Sequence, residues 1–239
     1  MPLPFSPPVR PRASAVRPGE LAFKLTGLIA ALLVAATILA QTRPALADPV
    51  RLLALGDSLT HGYGLPDGDT FPDQLEAALT ELGYEVEVLN GGVSGDTTAG
   101  GRARLEWALA DGPDAVLLEL GANDMLRGLD PAQARTNLAA IVERLQEDDV
   151  PVMLAGMYAA RNLDDTYAAQ FDAIYPDLAE TYGLTLYPFF LEGVAMDPAL
   201  NQPDGLHPNA DGVAVIVDNI TPVVVEFLAD SGLIPRPGG

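Results

Sequence analysis

From residue 50 onward, short apolar runs alternate with longer segments in which apolar residues recur every three or four positions. The short, near-continuous runs predict buried strands, and the helical spacing predicts amphipathic helices. The predicted strands span residues 50–55, 86–89, 115–120, 150–155 and 184–186. The predicted helices span residues 71–82, about 98–110, 131–146, 164–182 and 208–229. Strands that alternate with helices indicate an α/β domain whose parallel five-stranded sheet is covered by helices on both faces.

Residues with special backbone geometry indicate where some of these helices begin or bend. Asp130 before Pro131 is a typical helix start, with a capping side chain followed by a proline at the first helical position. Pro176 predicts a bend or break in the helix that contains it, and Pro222 predicts a kink in the last helix, because proline has no N–H to donate. No repeat and no linker divides this part of the chain, so residues 48–239 are predicted to form one domain.

The first 47 residues have a different composition. Four cations and a single acid precede an apolar run of 16 residues, Leu25 to Ala40, and a small-residue cleavage site ends at Ala47. This pattern predicts a Sec-type signal peptide over residues 1–47 with an extended basic segment. The alternative is a retained membrane anchor, although the run is shorter than the roughly 20 residues that span a bilayer. Cleavage after Ala47 predicts a periplasmic or secreted protein with no stable membrane span.

The predicted mature chain is strongly acidic. Cleavage removes five of the 13 cations and one of the 33 acids, which leaves a formal net charge of −24. Such a surface repels nucleic acid and anionic lipid, so neither is an expected partner. The chain has no cysteine and only two histidines, His61 and His207, which lie far apart in sequence. The sequence therefore predicts no disulfide, no metal site and no cofactor.

Four polar clusters lie after or near the ends of predicted strands. They span Gly56 to Leu59, Val93 to Asp96, Gly121 to Asp124 and Asp204 to Pro208. In open α/β sheets, ligands bind outside the carboxyl ends of the strands. We therefore expect the four clusters to converge on one rim of the domain.

These clusters contain the groups that acyl transfer requires: a nucleophile, a base, a group that orients the base, and donors for the oxyanion. Ser58 is the candidate nucleophile, His207 the candidate general base, and Asp204 the candidate orienting group. The candidate oxyanion donors are the backbone N–H groups of Ser58 and Gly95 and the side chain of Asn123. Taken singly, each cluster has a simpler interpretation as a turn or a helix cap. Their joint occurrence favours catalysis.

The same clusters resemble the sequence blocks of the GDSL/SGNH serine hydrolase family, and the resemblance covers essentially the whole mature chain. The matching residues are Gly56-Asp57-Ser58-Leu59, Gly95, Gly121-Ala122-Asn123-Asp124 and Asp204 to His207-Pro208. Residues 95–101 and 119–128 are similar to the bacterial periplasmic branch described as arylesterase, acyl-CoA thioesterase and lysophospholipase. One departure is Ala122, where relatives in that branch often have a second glycine.

The resemblance implies a flavodoxin-like three-layer α/β/α sandwich. It also implies hydrolysis of small-molecule acyl esters and thioesters without a metal, through Ser58, Gly95, Asn123, Asp204 and His207. The α/β-hydrolase fold is a poor alternative, because its nucleophile elbow requires a glycine where this chain has a threonine. The family implies no role for the histidine that follows the nucleophile, which we interpret as an exposed helix residue.

Apolar residues in the loops after the catalytic strands are candidates for contact with the acyl chain. These are Leu65, Met125, Leu126 and Tyr158, and packing in the core is an equal alternative for each. Two other functions stay open at this point. Other branches of the family remove acetyl groups from polysaccharide, and a periplasmic binding module without catalysis is the alternative from another class.

Overall fold

The computed structural model describes residues 48–237 of the chain, so the predicted signal peptide lies outside the described residues. The strands are β1 (Val50–Gly56), β2 (Val86–Gly92), β3 (Ala115–Glu119), β4 (Val152–Ala155) and β5 (Thr185–Tyr187). They pair in parallel in the order β2-β1-β3-β4-β5. The predicted α/β fold with a parallel five-stranded sheet is confirmed.

The strand order places a topological switch point between β1 and β3, since the chain adds β2 on one side of β1 and then β3 on the other. Loops that leave the carboxyl ends of such strands diverge and leave a crevice, which is where open α/β sheets bind ligands. The segment after β1 begins with Ser58 in a short helix, and the segment after β3 contains Asn123 in another short helix. The strand order therefore positions two of the candidate catalytic groups at the crevice.

The helices connect the strands and cover the sheet. They are α1 (Ser58–His61), α2 (Phe71–Glu81), α3 (Thr98–Ala103), α4 (Leu105–Ala108), α5 (Ala122–Leu126), α6 (Pro131–Glu147), α7 (Asp165–Asp172), α8 (Ile174–Tyr182) and α9 (Ala210–Asp230). The predicted start of α6 is confirmed, because the side chain of Asp130 accepts the backbone N–H of Ala132 and Pro131 is the first helical residue.

The helix predicted over residues 98–110 is wrong in its length, since it divides into α3, α4 and a 3₁₀ turn. Gly100 and Gly101 weaken the helix, and Arg104 leaves the helical conformation where α3 ends. The Arg104 guanidinium instead donates to Asp96, with Nε 2.6 Å from Oδ2, and to the Gly56 carbonyl oxygen at 2.8 Å. These bonds join the loop after β2 to the end of β1.

The expected break near Pro176 is confirmed, because α7 ends at Asp172 and α8 begins two residues later. The position of the break follows from proline, whose ring clashes with the carbonyl four residues earlier. The last helix begins at Ala210 rather than at residue 208. Its cap is Asn209, whose Oδ1 accepts the Gly212 N–H at 2.9 Å, and the helix continues across Pro222.

Strand β2 is longer than predicted, because it extends through Gly91 and Gly92. Both glycines lie close to the neighbouring backbone: a side chain at Gly91 would meet the Ala54 carbonyl oxygen at 2.9 Å, and one at Gly92 would collide with the His61 backbone. Glycine here permits a close approach between β2, β1 and α1 rather than ending the strand.

Among the described residues, only α9 is long and apolar enough to cross a membrane by length and composition. Its apolar residues are largely buried in the core, including Val213, Ile216, Ile220 and Val224. The helix packs against α2. The apolar composition of α9 is therefore explained by its position in the core.

Replacement of Leu117 by alanine is expected to lower the free energy of unfolding by roughly 2–5 kcal/mol, because it leaves a cavity in the centre of the sheet. Leu117 lies in β3 and is fully buried. Urea unfolding followed by circular dichroism measures the loss. Leu82→Ala is the matched control, since 59% of Leu82 is exposed and about 0.5 kcal/mol or less is expected there. Equal losses in the two variants would contradict this account of the core.

Candidate active site

Ser58, His207 and Asp204 form a continuous chain of hydrogen bonds. The Nε2 atom of His207 lies 2.9 Å from Ser58 Oγ, and its Nδ1 atom lies 2.7 Å from Asp204 Oδ2. The histidine and the serine are 149 residues apart in sequence, so the fold brings them together. This is the geometry in which a carboxylate fixes the imidazole tautomer and the free nitrogen accepts the proton of the hydroxyl.

The candidate nucleophile, Ser58, is the first residue of the short helix α1. Asp57 caps this helix, since its Oδ1 accepts the Leu59 N–H at 3.0 Å. Gly62 ends it in the left-handed conformation with φ of +83°. The helix begins directly after β1, so the Ser58 hydroxyl lies at the carboxyl edge of the sheet. His61 is exposed at the end of the same helix, as predicted.

The loop that contains the base is organised by Asp204. Its Oδ1 accepts the backbone N–H groups of Leu206 at 2.9 Å and His207 at 3.1 Å, while Oδ2 accepts from the imidazole. These bonds from the backbone, and then the bond to His207, lower the pKa of Asp204 to about 2. The carboxylate is therefore ionised at any pH at which His207 acts as a base.

Tyr63 contacts the imidazole of His207, and the sequence did not predict this contact. The two ring centroids are 4.6 Å apart and the rings are tilted by 38°. The Tyr63 carbonyl accepts from Gln202 Nε2 at 2.7 Å, and the same nitrogen donates to the Pro208 carbonyl at 2.9 Å. Gln202 thus joins the loop after α1 to the loop that contains His207.

The three candidate oxyanion donors lie in the segments that follow β1, β2 and β3, at the carboxyl edge of the sheet. Among residues 48–237, the backbone N–H groups of Ser58 and Gly95 have no hydrogen-bond acceptor. Gly95 has φ of +82°, in the region that favours glycine, and its carbonyl accepts from Arg127 Nη2 at 2.6 Å. One N–H of the Asn123 amide donates to Asp57 Oδ2 at 2.9 Å, which leaves the second N–H for another acceptor.

Two buried carboxyl groups lie next to the candidate nucleophile, Ser58. Asp57 is fully buried, and burial raises its pKa to about 6 although the Leu59 N–H and the Asn123 amide oppose that shift. Glu119, at the end of β3, is also buried, and its Oε2 accepts the Thr60 hydroxyl at 2.8 Å. Burial and the neighbouring Asp57 carboxylate hold the pKa of Glu119 well above its usual range. Sequence reasoning gave neither carboxyl a role.

The four candidate acyl contacts lie in different environments. Met125 is buried in the core and Leu65 is partly buried against it, whereas 54% of Leu126 and 37% of Tyr158 are exposed. The Tyr158 ring stacks on Phe189 with centroids 4.8 Å apart. Leu126 and Tyr158 are thus the two most exposed of the four candidates.

Chemically, the arrangement can perform nucleophilic acyl transfer. It provides a hydroxyl bonded to a base, a base bonded to a carboxylate, and N–H groups with no internal partner near the nucleophile. In the described part of the chain, no group of three or more His, Cys, Asp and Glu side chains is arranged to hold a metal ion.

The model of the GDSL-like lipase/acylhydrolase family matches residues 54–215 of this chain. The match begins within β1 and ends within α9, so it includes every candidate catalytic residue.

Relatives with assigned activities are similar over most of the described chain. An arylesterase of Vibrio mimicus is 40% identical over 179 residues, which cover 74% of this chain and 90% of the relative. The thioesterase 1/protease 1/lysophospholipase L1 of Escherichia coli K12 is 37% identical over 182 residues, or 76% of this chain and 85% of the relative. The crystal structure of AlinE4, an esterase of the SGNH-hydrolase family, is 46% identical, with a TM-score of 0.65 over 77% of this chain and 99% of that one.

Proposed function

The chain belongs to the GDSL-like lipase/acylhydrolase family and is a carboxylic ester hydrolase, and we propose that Ser58, His207 and Asp204 are its catalytic triad. The observation that carries the proposal is the chain of hydrogen bonds from Ser58 Oγ through the imidazole to Asp204 Oδ2, at 2.9 and 2.7 Å. The substrate class is a small-molecule acyl ester or thioester, as the names of the related enzymes indicate.

The reaction proceeds through an acyl-enzyme. His207 takes the proton of Ser58 as Oγ attacks the acyl carbonyl, and Asp204 stabilises the imidazolium that forms. The N–H groups of Ser58 and Gly95 and the free N–H of the Asn123 amide stabilise the oxyanion. The imidazolium then protonates the leaving alcohol or thiol as the carbonyl re-forms. Water attacks the acyl-enzyme by the same steps, which releases the carboxylic acid and restores the serine.

Asn123→Ala is expected to lower kcat by roughly 10²–10³-fold, because it removes one oxyanion donor and leaves the triad intact. The KM should change much less, since this bond strengthens as charge develops in the transition state. Steady-state kinetics on p-nitrophenyl butyrate measure both constants. An unchanged kcat in a folded variant would exclude Asn123 from the oxyanion hole.

The preferred acyl chain is tested with a p-nitrophenyl ester series from acetate to palmitate and with the matching acyl-CoA thioesters, using the chain from Asp48. Exposed Leu126 and Tyr158 at the catalytic edge support an acyl chain longer than acetyl. A maximum at medium or long chains is therefore expected. A maximum at acetate, with activity on acetylated polysaccharide, would favour the acetyl esterase alternative. A folded chain without activity on any ester would favour the non-catalytic binding module.

We also propose that the enzyme is located in the periplasm or outside the cell. The support is the basic segment, the apolar run and the cleavage site in residues 1–47. The charge of −24 that cleavage leaves argues against nucleic acid as a partner. Fractionation of cells, with N-terminal sequencing of the exported protein, tests both the location and cleavage after Ala47.

A further inference from the structure

The mechanism above gives no role to the two buried carboxyl groups beneath the nucleophile. Asp57 is fully buried and only 1% of Glu119 is exposed. A buried charge is costly unless hydrogen bonds and neighbouring groups compensate it. The contacts of these two carboxyl groups therefore determine which of them is ionised next to the catalytic serine.

Both oxygens of Asp57 act as hydrogen-bond acceptors. Oδ1 accepts the Leu59 N–H at 3.0 Å, and Oδ2 accepts from Asn123 Nδ2 at 2.9 Å. An N–H donor at each oxygen stabilises a negative charge, so these two bonds favour the ionised form of Asp57.

Only one of the two oxygens of Glu119 accepts hydrogen bonds. Its Oε2 accepts the Thr60 hydroxyl at 2.8 Å and the Asp57 N–H at 3.4 Å, while its buried Oε1 has no partner among the described residues. Two adjacent buried carboxyl groups cannot both be ionised at low cost. The proton of the pair therefore stays on Glu119, and Asp57 carries the charge.

We propose that Asp57 is a positioning residue of the oxyanion hole: its carboxylate holds one N–H of the Asn123 amide so that the other N–H faces the substrate carbonyl oxygen. The inference rests on the proposed function. An amide without this acceptor is free to rotate and present its own oxygen to the developing oxyanion, which repels it. The buried carboxylate of Asp57 thus keeps the NH₂ group of Asn123 in place.

Asp57 also adds a titrating group to the site. Glu119 from β3, Asp96 from the loop after β2 and His207 from the loop before α9 are the ionisable groups that act on it. Burial and the charge of Asp96 raise the pKa of Asp57, whereas His207 lowers it. The resulting pKa of Asp57 is about 6. As the pH falls through this value, Asn123 loses its charged acceptor. Protonation of Asp57 therefore contributes to the acidic limb of kcat/KM and makes it steeper.

Asp57→Asn tests the proposal, because it keeps the shape of the side chain but puts an amide donor opposite Asn123. We expect kcat to fall by about 10–100-fold, less than for complete loss of the donor, with KM little changed. The acidic limb of kcat/KM should lose the contribution of Asp57 and become less steep. Asp114→Asn is the matched control: its Oδ2 accepts the Arg51 N–H at 2.8 Å near the opposite edge of the sheet, and its kinetics should equal those of the wild type.

A double variant separates positioning from a general structural effect. If Asp57 acts through Asn123, adding Asp57→Asn to Asn123→Ala should lower kcat by less than about twofold further, whereas independent effects would multiply. Glu119→Gln, which keeps a neutral acceptor for Thr60, should retain most of the activity and the steep acidic limb. Thermal melting confirms that each variant is folded.

The outcomes are distinct. An Asp57→Asn variant with wild-type kcat and slope, multiplicative losses in the double variant, or an equal loss in Glu119→Gln would each overturn the positioning role. Ser58→Ala is measured in parallel: if it stays active, the proposed function fails instead, whatever the Asp57 variants show.

Discussion

Ser58→Ala is expected to lower kcat by roughly 10⁴-fold or more, because it removes the atom that forms the acyl-enzyme. The Ser58 hydroxyl is the one described hydroxyl that lies within hydrogen-bond distance of His207 Nε2, at 2.9 Å. Alanine leaves the helix cap by Asp57 unchanged, since the cap bond is to the Leu59 N–H. The variant should therefore fold normally and bind substrate while the chemical step is lost. Hydrolysis of p-nitrophenyl butyrate measures the loss.

A fluorophosphonate probe adds a measurement that does not depend on the choice of substrate. The wild type should be labelled on Ser58, identified by mass spectrometry, and Ser58→Ala should not be labelled. Ser231→Ala is the control, since its hydroxyl donates to the Phe227 carbonyl at the end of α9, far along the chain from the site. Labelling of the Ser58→Ala variant would show that another nucleophile performs the reaction.

The sequence predicted most of the fold because its signals are local. Apolar runs gave all five strands, and Asp130 before Pro131 gave the start of α6, since each pattern has one favoured structure. The failures are places where a tertiary contact overrides the local pattern. Arg104 interrupts the helix over residues 98–110 because its guanidinium bonds to another loop. Strand β2 continues through Gly91 and Gly92, because only a residue without a side chain fits against the adjacent backbone.

In the candidate site too, some features were predictable from local sequence and others depend on tertiary contacts. Ser58, Asp204 and His207 were predictable because their types and order match a known reaction, and the structure brings them together. The bond between Asp57 and Asn123 was not predictable, since the two residues are 66 positions apart and an aspartate at a helix start is sufficiently explained as a cap. Only the arrangement of β1 and β3 as neighbours puts this carboxylate next to the amide.

Asp204→Asn is expected to lower kcat by about 10⁴-fold, although the residue never contacts the substrate. The asparagine keeps Oδ1 as an acceptor for the Leu206 and His207 N–H groups, so the loop should keep its conformation. The amide Nδ2 then replaces Oδ2 and faces the imidazole Nδ1. Two donors cannot share this position, so Nδ1 becomes an acceptor and the ring proton moves to Nε2. An imidazole protonated at Nε2 cannot take the proton of Ser58.

The matched control is Asp164→Asn, because Asp164 makes the same backbone bonds without a histidine. Its Oδ1 accepts the N–H groups of Thr166 at 2.9 Å and Tyr167 at 3.2 Å at the start of α7. Asparagine caps helices as well as aspartate does, so full activity and stability are expected in this variant. Equal kinetic losses in the two variants would show that Asp204 acts only as a structural turn residue.

The pH profile adds a second test of the Asp204 role. Its pKa of about 2 lies below the ordinary value of 3.8, so its ionised form contributes stability that is fully present above pH 3.8 and is lost as the pH falls to about 2. Asp204 therefore does not produce the part of the acidic limb of kcat/KM near pH 6, where Asp57 is protonated. In Asp204→Asn the limb should keep a contribution from Asp57 while the plateau falls by about 10⁴-fold. A plateau near the wild-type value, with only the limb displaced, would mean that His207 adopts the productive tautomer without the carboxylate.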